Sequence, residues 1–349
     1  LLFFGHPFAG KKDATSFYRY YLNEKTLEHK AKVWKLLTML IHFKDALYTF
    51  WWIIKLRKKF DIYIGSDNFT AYMGLILKNL GYVEDVILYT IDFVPKRFES
   101  PILNFAYHYF DRQCLKRCKI VWNVSEKIAE GREKFSNLKR ENCVSQIVVP
   151  LGVWYDRIPR QSFEKRSKNT IVFMGHILEK QGLDVVVGAM PMIISKIHDA
   201  KLKIIGTGPY MDNLKKLVRK LKIEKCVKFL GYIESHKKVE VILSESTIAV
   251  ATYKPDPNSF TYFADPGKIK NYLGAGLPVI LTNVPPIAKE VMLKKCALIC
   301  KYDQEDVSEK IVSLLRDLKK LKVFGENAAR YAKQFDWNII FTNALERSL

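Results

Sequence analysis

The sequence predicts an α/β protein made of two doubly wound, Rossmann-like domains in series. Three observations predict it. The chain has 349 residues, and at roughly 150 residues per domain that accommodates about two. Strand-like apolar runs alternate with helical ones almost throughout, the pattern of parallel sheets covered by helices. The alternation lapses over the polar, basic stretch Tyr155–Asn169, which reads as an interdomain linker. The expected divisions are 1–154, 155–169, 170–334 and a C-terminal helix over 335–349.

In the first half, Leu1–Phe4 reads as a strand and tyrosine-rich Ser16–Leu22 as β-prone. Leu37 to Phe60 reads as a long helix. Asp61–Ile64 is a strand ending in Gly65-Ser66-Asp67, and Asn68–Leu80 a helix. Asp85–Ile91 is a buried strand ending at Asp92. Pro101–Lys116 is a helix with proline in its first turn, where the missing N–H does no harm. Ile120–Asn123 is a strand, Ser125–Lys134 a helix capped by Ser125, and Gln146–Pro150 a last strand. The chain opens on Leu1-Leu2-Phe3-Phe4 with no Met, consistent with a fragment lacking an upstream strand.

After the linker, Thr170–Met174 is a strand and Gly182–Ile197 a helix. Leu202–Ile205 is a strand, followed by a helix to Leu221. Strand Val227–Leu230, helix Val239–Ser244 and strand Ile248–Ala251 come next. Lys268–Leu273 is a helix, Val279–Leu281 a strand, Ile287–Leu293 a helix and Ala297–Ile299 a strand. The remainder reads as helical.

Lys plus Arg number 57 against 36 Asp plus Glu, a net charge of +21. Such an excess points to an anionic partner. It is spread over both halves, and no recognition helix, zinc-finger spacing or aromatic RNA-binding motif accompanies it, so nucleic acid is not the expected partner. None of the six cysteines forms a CxxC pair, which favours buried, reduced thiols in a cytoplasmic protein over a disulfide framework or zinc site. No metal or other cofactor is expected. The longest early apolar run, Ala46 to Leu56, is interrupted by Lys55 and is too short to span a bilayer.

In doubly wound sheets, ligands lie past the carboxyl ends of the strands, where loops feed helix N-termini. Glycine there lets a phosphate approach the backbone, and the helix dipole favours its charge. The second half has four such places: Met174-Gly175-His176, Gly206-Thr207-Gly208, Leu230-Gly231-Tyr232 and Asp265-Pro266-Gly267-Lys268. Four together predict a nucleotide or sugar-phosphate crevice.

The segments IVFMGHILEKQGLD, LKIIGTGPYMDNLKKL, VKFLGYI and DPGKIKNYLGAGLPVILTNVPPIAKEV resemble the donor-binding half of the GT-B glycosyltransferases of family 4 (group 1). The likeness covers Ile171 to Cys300. It implies two domains facing across a cleft, with segment 335–349 crossing back to the first. It also implies a nucleotide-sugar donor, a retaining reaction, and a helix followed by GAGLPVI that holds the donor ribose and sugar under a glycine turn.

Several positions depart from the family pattern. An Arg and a Lys that hold the donor diphosphate in many members are replaced by His176 and Gln181, with Lys180 beside the latter. Of two glutamates seven residues apart, the second, which contacts ribose, is replaced by Asn271. The first falls near Phe263, which cannot do the same job. Asp265-Pro266-Gly267-Lys268 resembles a variant within the family. The candidate donor residues are Gly175, His176, Lys180, Gln181, Gly206, Gly208, Tyr232, Asp265, Lys268 and Asn271.

The fold implies that the first domain supplies the acceptor side, through loops at Gly5-His6-Pro7, Gly65-Ser66-Asp67-Asn68, Thr90-Ile91-Asp92 and Trp122-Asn123-Val124-Ser125. Asp92 is the candidate catalytic residue, orienting the acceptor hydroxyl or the transferred sugar. Asp67 reads more simply as a helix cap, and Lys96 and Arg97 as a solvated pair.

The expected function is transfer of a sugar to a lipid-linked or polysaccharide acceptor. The alternative is a nucleotide-sugar-binding partner subunit with weak or no activity. An epimerase on the same fold fits less well, because the matched segments are poor in histidine. Aromatics beside Lys55, Arg57, Lys58 and Lys59 in Phe50–Lys59 also suit reversible docking on the anionic cytoplasmic membrane face. Otherwise Trp51 and Trp52 belong to the core.

Overall fold

The computed structural model describes residues 1–6, 15–22, 25–31, 38–136 and 138–349. Pro7 of the first expected loop and Leu37 at the expected helix start lie outside them. The order of elements is β1 (Leu2–Gly5), β2 (Phe17–Leu22), β3 (Lys25–Lys30), α1 (Thr38–Leu56), β4 (Phe60–Gly65), α2 (Asn68–Asn79), β5 (Val83–Thr90), α3 (Pro101–Arg117), β6 (Ile120–Asn123), α4 (Glu126–Ser136) and β7 (Gln146–Val148). It continues with β8 (Thr170–Met174), α5 (Leu183–Lys196), β9 (Lys201–Ile205), α6 (Met211–Lys220), β10 (Val227–Gly231), α7 (His236–Ser244), β11 (Ile248–Ala251), α8 (Phe260–Phe263) and α9 (Gly267–Gly274). The last elements are β12 (Val279–Thr282), α10 (Ala288–Leu293), β13 (Ala297–Cys300), α11 (Gln304–Arg316), α12 (Leu318–Ala332) and α13 (Trp337–Glu346).

Contacts group the chain into two units. The first comprises Leu1–Thr90, Arg97–Trp122 and Leu138–Gln146; the second comprises Ile91–Lys96, Asn123–Asn137 and Ile147–Leu349.

In the first unit, β4 and β5 pair in parallel, from Phe60↔Val83 to Gly65↔Leu88, within a sheet ordered β4-β5-β6-β7. Its core includes Leu75, Leu77, Val86, Leu88, Leu115 and Val121. Asp67 caps α2, accepting from the Phe69 and Thr70 amides. An antiparallel β1-β2-β3 sheet adds a hairpin whose third strand, KTLEHK, has no apolar alternation and was not expected from sequence.

The two tryptophans of α1 part company. Trp52 is 1% exposed and lies among the rings of Phe4, Tyr18 and Tyr48 at 6.1, 5.3 and 5.2 Å. Trp51 is 52% exposed, with Lys55 Nζ 4.9 Å from its ring centre. Among the described residues, no helix is long and apolar enough to cross a membrane.

The second unit is built on a six-stranded parallel sheet, ordered β10-β9-β8-β11-β12-β13. Strand order reverses between β8 and β11, the place where doubly wound sheets open a crevice. Helices α5 and α11 cover the sheet with Leu183, Val187, Met190, Ile193, Val307 and Ile311.

The non-periodic segment 155–169 has a definite structure within this unit. Arg157 grips the buried Glu240 carboxylate, its Nη2 2.6 Å from Oε1. Arg160 donates to the Gly274 carbonyl at 3.0 Å, and Arg166 to those of Gly276 and Ala275 at 2.7 and 3.2 Å. Two guanidiniums therefore satisfy carbonyls at the C-terminal end of α9, where positive charge also complements the helix dipole.

Candidate functional site

The site is assembled where β8 and β11 separate. Ile171 and Val172 are the β8 residues that pair with β11, whereas Phe173 and Met174 pair only with β9. The free side of β8 is finished by a side chain. The Met174 amide donates to the Tyr272 hydroxyl at 2.7 Å, and that hydroxyl donates to the Met174 carbonyl at 3.3 Å.

Gly175 follows with φ +146, a conformation that glycine alone adopts readily. A Cβ there would stand 2.8 Å from Lys268 Nζ. Gly206 has φ +123, and a Cβ on it would meet the Gly175 carbonyl oxygen at 1.9 Å; one on Gly208 would meet the Ile177 oxygen at 2.2 Å. The loops are also stitched together. The Gly175 amide donates to the Ile205 carbonyl at 3.0 Å, that of Ile177 to Thr207 at 2.9 Å, and that of Gly206 to Gly231 at 2.8 Å. Gly206 and Gly208 thus serve backbone-to-backbone packing that sets the first loop.

Lys268 reaches this loop from the first turn of α9. Its Nζ donates to Gln181 Oε1 at 2.6 Å and stands 4.2 Å from the Phe173 ring centre and 5.3 Å from that of Tyr253. Burial pushes its ammonium down to about 7. Among the described residues, the Pro266 N-cap of α9 makes no side-chain cap bond, so the first-turn amides and the helix dipole there suit an anion. Lys180 lies over the Phe260 ring at 3.9 Å, and burial lowers its pKa, with Asp256 opposing. Its neighbour Glu179 pairs with Lys254 at 2.6 Å, joining the loops after β8 and β11.

Asp265 differs from its sequence reading as a donor ligand. It is 5% exposed, one oxygen meets the buried Lys270 ammonium, and the other accepts the Leu151 amide at 2.8 Å. Its charge is spent inside the protein. The GAG turn is likewise at the far end of α9 from Lys268. Gly276 has φ +70, its amide closes the helix on Leu273, and the arginines described above bind its carbonyls. It terminates the helix.

Asn271 is half-buried, its Nδ2 held by the Gly267 carbonyl at 2.9 Å. His176 is exposed, and Tyr232 is exposed past the end of β10. Phe263 is buried against Phe93 at 5.3 Å and beneath Gly131, whose Cβ position lies 2.8 Å from the Phe263 ring. Asp92 is half-buried and immediately precedes Phe93.

Three residues here were missed in the sequence: Tyr272, Lys270 and Tyr253. Tyr253 is 2% exposed and its hydroxyl has no hydrogen-bond partner among the described residues. The only signal was position: Lys270 and Tyr272 lie two and four residues after Lys268, and Tyr253 follows β11.

Gly175, Gln181, Lys268 and the start of α9 thus lie together, and a cation beside a positive-φ glycine and helix amides is chemistry that suits a phosphate. A model of the family described as glycosyl transferases group 1 matches residues 155–331. An uncharacterised glycosyltransferase of Haemophilus influenzae is 24% identical over 190 residues, 54% of this chain and 50% of that protein. A GDP-mannose-dependent alpha-(1-6)-phosphatidylinositol monomannoside mannosyltransferase of Mycobacterium tuberculosis is 23% identical over 209 residues, 55% of this chain and 52% of that protein. The chain spans about half the length of these curated relatives. The crystal structure of Anabaena Alr3699/HepE in complex with UDP superposes with a TM-score of 0.68 at 14% identity, covering 88% of this chain and 81% of that one. That likeness is one of fold.

Proposed function

The chain belongs to the group 1 glycosyl transferases and has their GT-B type of α/β fold, and on that premise we propose that it transfers a sugar from a nucleotide-sugar donor, with retention, to a lipid-linked or glycan acceptor. The observation that carries this reading is Lys268, a half-buried cation with a neutral side-chain partner, set between a positive-φ glycine and an uncapped helix end.

In this reading the donor diphosphate lies between the Gly175 loop and the start of α9. Cleaving the sugar–phosphate bond leaves negative charge on the diphosphate. Lys268 and the first α9 amides stabilise that charge without having to reorganise. Gln181 steers the Lys268 ammonium, Lys180 adds a second cation from the same loop, and Asn271 offers its Oδ1 to a ribose hydroxyl. His176 and Tyr232 border the donor, while Gly206, Gly208 and Asp265 hold the loops and helix in place. Asp92 orients the acceptor hydroxyl or the transferred sugar.

The HepE structure contains UDP, which makes UDP and UDP-sugars the first ligands to test. A thermal-shift screen across uridine and guanosine nucleotides checks donor binding, since a ligand specific to the folded state raises the melting temperature. No shift with any of them sinks the donor reading. Asp92→Asn keeps the shape and removes the charge; unimpaired transfer by that variant relegates Asp92 to loop structure.

A lipid-linked acceptor suits the surface of the first unit. Leu47, Trp51 and Lys55 form one exposed stripe on α1. Ile102, Phe105 and Tyr109 form another on α3, continued by exposed Arg112 and Lys116. Apolar side chains followed by cations fit an anionic bilayer. Co-sedimentation should require anionic lipid and weaken with salt; equal recovery with neutral and anionic vesicles removes the membrane contact.

The second reading is a donor-binding subunit with little activity, and Phe263 favours it. The family resemblance puts the first of its two glutamates near Phe263, which is buried, and nothing in that side chain hydrogen-bonds a sugar. Nucleotide binding without transfer or donor hydrolysis across a panel of acceptors selects that reading.

A further inference from the structure

Resting on the donor reading above, the geometry points to Tyr272 as the positioning residue of the diphosphate site, acting through its hydroxyl. Its ring belongs to α9, the helix that carries Lys268, and its hydroxyl is bonded to both backbone polar groups of Met174, the residue before Gly175. Beside the Lys268–Gln181 bond, this one oxygen atom therefore ties α9 to the backbone that leads into Gly175.

The need for this link follows from the sheet. Past Val172, β8 has β9 on one side and no strand on the other. A buried amide without a partner is costly. Water could satisfy it in an open crevice, but would leave the Gly175 loop free to shift. A phenol held rigidly in a helix, 0% exposed, satisfies Met174 and fixes the loop relative to Lys268 together. Gly206, pressed on the Gly175 carbonyl from the opposite side, leaves the loop little room to compensate.

The test separates a bond that orders the site from one that only holds the fold. Wild type and Tyr272→Phe are titrated calorimetrically with UDP, GDP, UMP, GMP, uridine and guanosine. The variant keeps the ring and loses the hydroxyl. Its affinity for the bound diphosphate should fall roughly five- to thirtyfold, the scale of one or two lost hydrogen bonds, while nucleoside affinity stays unchanged. Its melting temperature should drop by no more than about 2–4 °C per lost bond.

Unchanged diphosphate affinity in the variant overturns the positioning role and leaves the donor reading standing. Equal weakening of nucleoside and diphosphate, or failure of the variant to fold, makes the hydroxyl a general folding bond and overturns it too. Wild type that binds no nucleotide overturns the donor reading itself. An independent measurement needs no variant: amide exchange at Met174 in nucleotide-free wild type should be slow, and rapid exchange there overturns the proposal.

Discussion

Lys268 and Lys270 are two residues apart on one short helix, and their surroundings treat them oppositely. Lys270 is completely buried, paired with the Asp265 carboxylate, and lies 4.9 Å from the Phe335 ring centre. Lys268 faces a neutral amide and two aromatic rings. Burial pushes both ammoniums down to about 7, so the two differ in their partners. A protein that balances one buried ammonium and leaves its neighbour unbalanced has placed the second where an anion can complete it. On the proposed reading, Lys270 serves the fold and Lys268 serves the site.

The largest expected effect tests the balanced member. Asp265→Ala strands Lys270 in the interior and should lower stability by about 3–5 kcal/mol, the usual cost of breaking a buried pair from one side. Urea denaturation measures it. A loss below about 1 kcal/mol would mean that Lys270 escapes to water and that the contrast between the two lysines is false.

Lys268→Met should do the reverse. Stability should hold or rise, because an uncompensated cation leaves a partly apolar place. Nucleoside diphosphate affinity should fall by about 1.5–3 kcal/mol, the worth of a hydrogen bond to a charged group, or roughly 10- to 150-fold. Calorimetric titration reads the affinity. Unchanged binding with lowered stability would reverse the assignment of roles.

A pH series sharpens the same point. In the free protein the Lys268 ammonium titrates at about 7, below its unfolded value, so stability from this group rises as pH climbs from there toward the unfolded range. A bound diphosphate raises that pKa. Affinity should therefore be fullest near neutrality and weaken between pH about 7.5 and 9.5, by at most tenfold per pH unit. In Lys268→Met that slope should vanish. A wild-type slope surviving the substitution would assign the proton to another group.

The smallest effect concerns the ring beside Lys268. Tyr253→Phe removes a buried hydroxyl that lacks a partner among the described residues, so stability should stay level or rise by up to about 1 kcal/mol. A clear loss of stability in thermal or urea unfolding would show that the hydroxyl is engaged.

How much of this could be read in the sequence depends on how local each signal is. Strands β8 to β13 and most helices were legible because apolar runs and glycine turns write their own periodicity. The strand KTLEHK was invisible, since a polar hairpin strand is defined by its partner. Segment 155–169 looked like a linker because its contacts run through arginine heads, which hydropathy records only as charge. Gly175 and Lys268 were legible as a glycine at a strand end and a lysine at a helix start, and the structure brings the two together. Tyr272 and the Asp265–Lys270 pair were not, because their function lies in bonds to residues such as Met174 and Leu151, 98 and 114 positions away.

The arginine-rich segment also governs where the chain can be cut. A fragment beginning at residue 170 would abandon Glu240 without Arg157 and uncap the C-terminal end of α9. Starting at Ile147 keeps both, together with the Val153 amide bonded to the Phe335 carbonyl at 2.8 Å. Even that fragment omits Phe93 and Gly131, which cover Phe263, because the second unit is drawn from three separate stretches of chain. Expression trials of an isolated second half should therefore yield sticky, protease-sensitive material, while a protease nick in an exposed loop of the intact chain should leave the pieces associated.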